Sequence, residues 1–222
     1  MIKGILFDFD GTVGNTTNLI LTSFRYATQK VMGKVFPDEV YTSSFGLPLP
    51  QCMERIADSP EQVDELRTAY RSSNAILHDK LIEGFPGVKE AFAALAELGI
   101  KIAIVTSKKQ PMCRRGLRCL ELEEYVTAVI GCDNIVNSKP HGEPMEKGAA
   151  GLGLKPEECL CVGDSYFDLQ SGHNANCAAC VAVSYTCLDK NRVINEGKPD
   201  YIIDDLRELV PLVKKLNENT EV

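Results

Sequence analysis

Residues 1–13 constrain the fold more than any other stretch of the chain. Ile2-Lys3-Gly4-Ile5-Leu6-Phe7 is short and apolar, and it runs straight into Asp8-Phe9-Asp10-Gly11-Thr12-Val13. Such a run is too short for a stable helix and reads as a strand buried on both faces, as in a parallel sheet. The two carboxylates stand two positions apart, so they share one face of a continuing strand or converge in the turn that follows. In open α/β sheets, sites form beyond the carboxyl ends of the strands, where this pair lies. An Asx-rich turn capping the next helix is the simpler alternative, and Asp-Gly alone would signify only that.

The pattern then changes. Leu19, Ile20, Phe24, Ala27 and Val31 recur at helical spacing over 15–33, with Asn15 and the threonines after it as a candidate cap. More helix-like sequence runs from 37 to 80, interrupted at Gly46-Leu47-Pro48-Leu49-Pro50 and at Ser59-Pro60. No strand is read between 14 and 81. After Gly84-Phe85-Pro86-Gly87 strands and helices alternate. Helices are expected at 88–98, 110–120, 144–152, 167–175 and 206–216, and strands at 101–106, 126–132, 158–163, 177–183 and 199–204. No element is read for 184–198. The fold class expected is α/β: a doubly wound parallel-sheet (Rossmann-like) core with a small all-helical cap inserted after the first strand. The core comprises 1–14 and 82–222 and the cap 15–81, joined by linkers around Val13-Gly14-Asn15 and Ile82-Glu83-Gly84 whose glycines would serve as hinges.

Composition excludes several function classes. A net charge of −7 over 222 residues disfavours nucleic acid or an anionic membrane as partner. An anionic substrate would then need a local cluster of cations. No apolar stretch reaches the ~18 residues of a membrane span, and the N-terminus lacks a basic, apolar leader, so a cytoplasmic location is expected. The nine cysteines are scattered. Cys177-Ala-Ala-Cys180 has the spacing of a redox or half-zinc motif, but it lies in an apolar strand-like run and reads as buried reduced thiols.

The strand exits carry the chemistry. They hold Asp8 and Asp10, then Thr106 and Ser107, then Asp164, while Lys139 lies in the loop Asn137-Ser138-Lys139-Pro140. Carboxylates crowded together repel unless a cation lies between them, and an all-oxygen donor set favours Mg²⁺ over zinc. A lysine and a threonine hydroxyl, with loop N–H groups, would cradle a phosphate. A loop lysine by itself is a solvated charge, and only the constellation makes Lys139 a candidate. The basic run Lys108, Lys109, Arg114, Arg115 and Arg118 reads as a solvated helix face. His78, His141 and His173 lack metal-ligand spacing.

In order along the chain, Asp8-Phe9-Asp10-Gly11-Thr12, Thr106 after an apolar strand, Lys139, and Gly163-Asp164-Ser165-Tyr166-Phe167-Asp168 resemble the four motifs of the haloacid dehalogenase superfamily, most of whose members are phosphatases. The helical insert is similar to the cap of the subgroup holding phosphoglycolate phosphatases, β-phosphoglucomutases and pyrophosphatases. Phe45-Gly46-Leu47-Pro48-Leu49, Phe85-Pro86-Gly87-Val88 and Val105-Thr106-Ser107-Lys108 look most like the phosphoglycolate phosphatase branch. Two departures stand out. Gly14-Asn15-Thr16 replaces a carboxylate-bearing hinge segment, and His173-Asn174-Ala175-Asn176 replaces a run that usually ends in glycine.

The resemblance implies a Mg²⁺-dependent phosphatase acting on a small phosphorylated metabolite through an aspartyl phosphate, with phosphoglycolate the first candidate. Asp8 would be the nucleophile and Asp10 the acid and then base. Asp8, Asp10 (through its carbonyl) and Asp164 would hold the metal. Gly11, Thr106, Ser107 and Lys139 would bind the phosphoryl group, Leu47 of the cap would meet the leaving group, and Asp168 would orient the lysine or a metal-bound water. A carboxylate brought to ~4 Å from a phosphate dianion meets about 8 kcal/mol of repulsion at an effective dielectric near 20. That alone would slow attack by about six decades, so cations are indispensable. A β-phosphoglucomutase-like mutase and an inorganic pyrophosphatase remain as alternatives, with a non-catalytic binding protein on the same fold behind them.

Overall fold

The computed structural model describes residues 1–218. Its centre is a six-stranded, all-parallel sheet built from β1 (Gly4–Phe7), β4 (Lys101–Val105), β5 (Val126–Ile130), β6 (Cys159–Gly163), β7 (Ala179–Val183) and β8 (Tyr201–Ile203), in the order β5-β4-β1-β6-β7-β8. The chain winds outward from β1 to β5, returns to β6, and winds outward again. The order therefore reverses beside β1, where a doubly wound sheet opens its ligand crevice.

Strict alternation fills both faces of the sheet. Ile5, Phe7, Ile102, Ile104, Leu160 and Val162 point to one side, under α5 (Val88–Glu97), α6 (Gln110–Cys119) and α10 (Leu209–Glu218). Leu6, Ala103, Val105, Cys159, Cys161 and Cys180 point to the other, under α7 (Glu143–Gly151), α8 (Tyr166–Asn174) and α9 (Lys190–Gly197). This second face is lined by smaller side chains. All nine cysteines are free, and burial pushes the Cys177 thiol up, as it does the thiols of Cys52 and Cys113. Reduced thiols inert by burial fit that placement.

Between β1 and β4 the chain leaves the sheet. It forms α1 (Thr17–Met32), α2 (Asp38–Thr42), α3 (Leu49–Glu54) and the long α4 (Pro60–Leu81), which pack round their own apolar cluster of Phe24, Tyr41, Met53 and Leu66. Phe24 stacks on Tyr41 at 5.3 Å and meets Tyr70 edge-on at 5.0 Å. Each such side chain contributes about 1.5–3 kcal/mol on burial. This is the expected α/β core with a helical cap.

Three local expectations need correction. A two-residue strand, β2 (Gly14–Asn15), lies where none is expected, and it pairs antiparallel with β3 (Glu83–Gly84), so that the two linkers form one ribbon. The threonine after Asn15 does not cap α1, because the Thr16 hydroxyl instead donates to Asp10 Oδ1 at 2.7 Å. Finally α9 (Lys190–Gly197) forms where the sequence pattern predicts no element. Only Val193 and Gly197 of that helix are buried, so its apolar face is too sparse to stand out in a polar segment, and Asp189 supplies the cap by accepting from Asn191 N. Strand ends also differ, β7 starting at Ala179 and β8 spanning only Tyr201–Ile203. Among the described residues no helix is long and apolar enough to cross a membrane.

Candidate active site

The carboxyl ends of β1, β4 and β6 bring Asp8, Thr106 and Asp164 to one place, and the loop after β5 delivers Lys139 between them. Asp8 is buried. Lys139, also buried, donates to Asp8 Oδ1 at 2.7 Å, to Asp168 Oδ1 at 2.5 Å and to the carbonyl of Val105 at 2.7 Å. An ammonium has three donors, so this one is saturated. Burial works against its charge, but Asp168 and Asp8 outweigh that, and Lys139 is held protonated.

Asp168 both orients the lysine, as expected, and caps a helix. Its Oδ2 accepts from Ser165 N at 3.0 Å and from Ser165 Oγ at 2.5 Å, closing a capping box at the start of α8, while Oδ1 takes Lys139. Asp164 is less well served. Thr186 donates to its Oδ2 at 3.0 Å, and no lysine reaches it among the described residues. Burial, with the neighbouring charges of Asp168 and Asp8, holds its carboxyl well above the usual range. For Asp8 burial again leads, partly offset by Lys139, and the group is pushed up to about 7.

One oxygen each from Asp8, Asp164 and Asp168 lies within 4.8 Å of the others. A buried, all-oxygen set carrying three carboxylates against one ammonium is the donor chemistry that a hard divalent cation satisfies, so these residues fit Mg²⁺. Gly11 permits the approach. It sits at φ +87°, and a Cβ there would stand 2.4 Å from Asp164 Oδ2, so a side chain would be both strained and blocked.

The other residues expected in the site divide. Thr106 is buried and its hydroxyl accepts from Lys108 N at 3.1 Å, leaving its own proton without an acceptor among the described residues. Asp10 lies half-buried on the chamber wall. Its side chain is not in the carboxylate trio, because Oδ1 accepts from Thr16 Oγ1 and from Lys108 Nζ at 2.6 Å. Ser107 turns toward the cap and donates to the carbonyl of Gly46 at 2.8 Å. Gly46, at φ +90°, lies so close to the loop after β6 that a Cβ would come 3.1 Å from Phe167 and 3.2 Å from Ser165 Oγ. The cap loop is thus seated on the core. Leu47 follows it and lines the chamber enclosed between the two, whose volume is about 590 Å³.

Lys108 is the site residue that sequence reasoning missed. It belongs to the run read as a solvated face, yet its side chain is only 13% exposed, bound to Asp10 and placed over the Phe9 ring at 5.2 Å. The rest of the run pairs elsewhere, Arg115 with Asp79 of α4, and Arg114 and Arg118 with Glu123. The available signal was position: Lys108 stands two residues beyond a strand-end threonine, before α6 begins, so no helix face governs where it points.

The comparisons agree with this geometry. A family model for haloacid dehalogenase-like hydrolases matches residues 5–182. Pyrophosphatase PpaX of Bacillus cereus (strain AH820) is 36% identical over 218 residues, covering 98% of this chain and 99% of that protein. Its counterpart from Halalkalibacterium halodurans is 35% identical over 212 residues, covering 96% and 97%. Among solved structures, one described as a predicted phosphoglycolate phosphatase from Haemophilus somnus 129PT superposes with a TM-score of 0.88 at 23% identity, over 96% of this chain and 98% of that one. CbbY from Rhodobacter sphaeroides, in complex with phosphate, gives 0.79 at 21% identity, over 94% and 96%. At such identities the superpositions speak for the fold alone. The family match and the extended identity to the PpaX proteins decide the assignment: the chain belongs to the haloacid dehalogenase-like hydrolases.

Proposed function

We propose that the protein is a Mg²⁺-dependent phosphatase that hydrolyses a small phosphorylated metabolite through an aspartyl-phosphate intermediate on Asp8. The observation that carries this reading is the floor of the chamber, where Asp8, Asp164 and Asp168 converge and Lys139 bonds two of the three. Asp8 and Asp164, with the Asp10 carbonyl, would hold the metal, which when bound supplies charge neutralisation for a phosphoryl group beside a carboxylate.

The residues of the chain do the rest. Asp8 attacks phosphorus, and the bond to the leaving oxygen breaks. Asp10, held in place by Thr16 and Lys108, protonates that oxygen. It then removes a proton from the water that attacks the acyl phosphate, which frees Asp8 and releases inorganic phosphate. Lys139 exchanges its bond to Asp8 for a phosphoryl oxygen as Asp8 attacks, the Thr106 hydroxyl binds another, and Asp168 positions Lys139. Residues 15–81 act as the lid over residues 1–14 and 82–222, and the β2–β3 ribbon is the hinge both linkers share.

The motif likeness puts phosphoglycolate first among substrates, and the names of the 36%-identical relatives favour pyrophosphate as a second reading. A phosphate-release assay over a panel holding both, p-nitrophenyl phosphate and sugar phosphates tests the proposal. Turnover in Mg²⁺, its loss in EDTA and its return with excess Mg²⁺ are expected. Undiminished turnover in EDTA would overturn the metal assignment. Conversion of a sugar phosphate to its isomer, without release of phosphate from p-nitrophenyl phosphate, would make the protein a mutase.

A further inference from the structure

Within that phosphatase reading, on which this inference rests, the chamber has a second charged end. Besides Lys108, which pairs with Asp10, two cations line it: Arg71 of α4 and Lys109, the residue just before α6. The chain holds 31 aspartates and glutamates against 24 lysines and arginines, yet neither of these two cations meets a carboxylate among the described residues. Position separates the pair from an ordinary solvated face. Arg71, Asn74 and Ala75 all line the chamber and stand at i, i+3 and i+4, so Arg71 rises from the side of α4 that faces inward, although it is exposed. Lys109 is flanked in the same lining by Lys108 and Met112.

The two cations belong to opposite bodies, cap and core, and act on one spot. The Cys132 thiol, half-buried in the same lining, is raised by burial and by Asp133 and drawn back down by both Lys109 and Arg71. Asp133 pairs with neither among the described residues, and its Oδ1 accepts from Gln110 N at 2.8 Å. The floor has no cation to spare for a second anion. Lys139 serves Asp168 and the transferred phosphoryl group, and Lys108 is held by Asp10. A further negative charge on the leaving group, taken out of water without a partner, would cost more than its contacts return. Arg71 and Lys109 are the lining groups able to meet it.

We infer that Arg71 and Lys109 select a leaving group that carries an anion of its own, a carboxylate or a second phosphoryl group, and grip it between cap and core. Phosphoglycolate and pyrophosphate both carry such a group, and the phosphate ester of a neutral alcohol does not. One cation stands on each body, so the gripped anion also favours the seated cap over an open one. Selection then rests on charge at the rim, and attack on phosphorus rests on the floor.

Calorimetric titration of the Mg²⁺-loaded protein with three phosphonates tests this without any chemistry. Phosphonopropionate and methylenediphosphonate replace the bridging oxygen of phosphoglycolate and of pyrophosphate by carbon, and hydroxypropylphosphonate carries a neutral hydroxyl where they carry the second anion. At least one of the two anions should bind about tenfold tighter than the neutral analogue, and their order separates a carboxylate from a phosphoryl group. Arg71→Gln and Lys109→Gln should each shrink that preference about three- to tenfold, while Arg71→Lys keeps most of it and the neutral analogue moves less than about twofold. A preference below about twofold in the wild-type protein, or one that survives both substitutions at unchanged melting temperature, would overturn the inference. Steady-state hydrolysis of phosphoglycolate, pyrophosphate and hydroxyethyl phosphate should show the same preference in kcat/KM. Anion-selective binding that is lost in the variants, with no hydrolysis of any of the three, would instead uphold the inference and overturn the phosphatase reading.

Discussion

On the sheet side of the chamber the polar atoms are largely committed. Lys139 spends all three donors, Asp168 divides its two oxygens between a helix cap and that lysine, and Asp10 takes both Thr16 and Lys108. On the helical side the wall is largely carbon, and polar groups such as the Tyr70 hydroxyl and the Arg71 guanidinium stand there without partners among the described residues. The first wall depends on particular functional groups at bond-length tolerance, because a buried charge without its partner costs several kcal/mol. The second depends on volume and apolarity, which many side chains satisfy at less than about 1.5 kcal/mol apiece. Chemistry is therefore held rigidly on one side, and recognition is left adjustable on the other.

The largest effect expected of any break in this contrast is at the nucleophile. Asp8→Asn keeps the shape but removes the attacking charge, so kcat should fall about 10⁴-fold or more. The melting temperature should hold, since Lys139 keeps Asp168 and one repulsive carboxylate is gone. Near-normal turnover in a preparation free of wild-type enzyme would rule out attack by Asp8.

Removing the cation tests the same wall through stability. Lys139→Met leaves Asp8, Asp164 and Asp168 facing one another without compensation, at a cost of about 3–5 kcal/mol. For a chain of this size that is a drop of ~6–20 °C in Tm. The loss should be larger at pH 8 than at pH 5, because Asp8, pushed up to about 7 by burial, is largely uncharged at the lower pH. Equal losses at both pH values would show that the lysine acts by packing alone.

Leu47→Asp probes the opposite wall. Losing one leucine contact to the leaving group costs about 1.5–3 kcal/mol, or roughly 10–100-fold in kcat/KM on the best metabolite of the panel. Ethyl phosphate, held by the core, should change less than about threefold. Equal loss on both esters would mark a folding defect, and no change on either would remove this loop from the substrate's path.

A further effect is the pH dependence of the metal-free fold. Asp8 titrates near 7 in the folded protein against 3.8 in an unfolded chain, so between those values the folded state binds the extra proton. Its contribution is fully present below 3.8 and lost as pH rises through about 7. In EDTA, Tm should therefore decline across that window by ~2–4 °C for each kcal/mol lost. Asp8→Asn should flatten the decline, and Mg²⁺ should offset it by binding the ionised form. A wild-type decline that survives unchanged in Asp8→Asn would assign it to another group.

How much was legible in advance follows the same division. Asp8, Thr106, Lys139 and Asp164 stand in the sequence at strand exits or in short loops beside them, where a parallel sheet fixes their convergence whatever the remaining surface does. The strands themselves were legible because burial on both faces leaves an uninterrupted apolar run, as in Lys101–Val105 and Cys159–Gly163. Lys108 was not, since a lysine beside other cations has the composition of a solvated face. Only the fold reveals that Asp10, separated from it by 98 positions, lies 2.6 Å away. Nor was α9, a polar helix that buries only Val193 and Gly197.

The sequence by itself determined the α/β core, the helical insertion and the identities at the strand exits, because those rest on local periodicity and on the short distance from a strand to its end. Only the tertiary structure decided that Asp168 both caps a helix and holds the lysine, that the two linkers pair as one ribbon, and that Ser107 fastens the cap. It also decided that the chamber beneath the cap is largely apolar and about 590 Å³. These are properties of groups far apart in the chain, and side-chain hydrogen bonds and cavities depend on where distant segments meet, which no local pattern encodes.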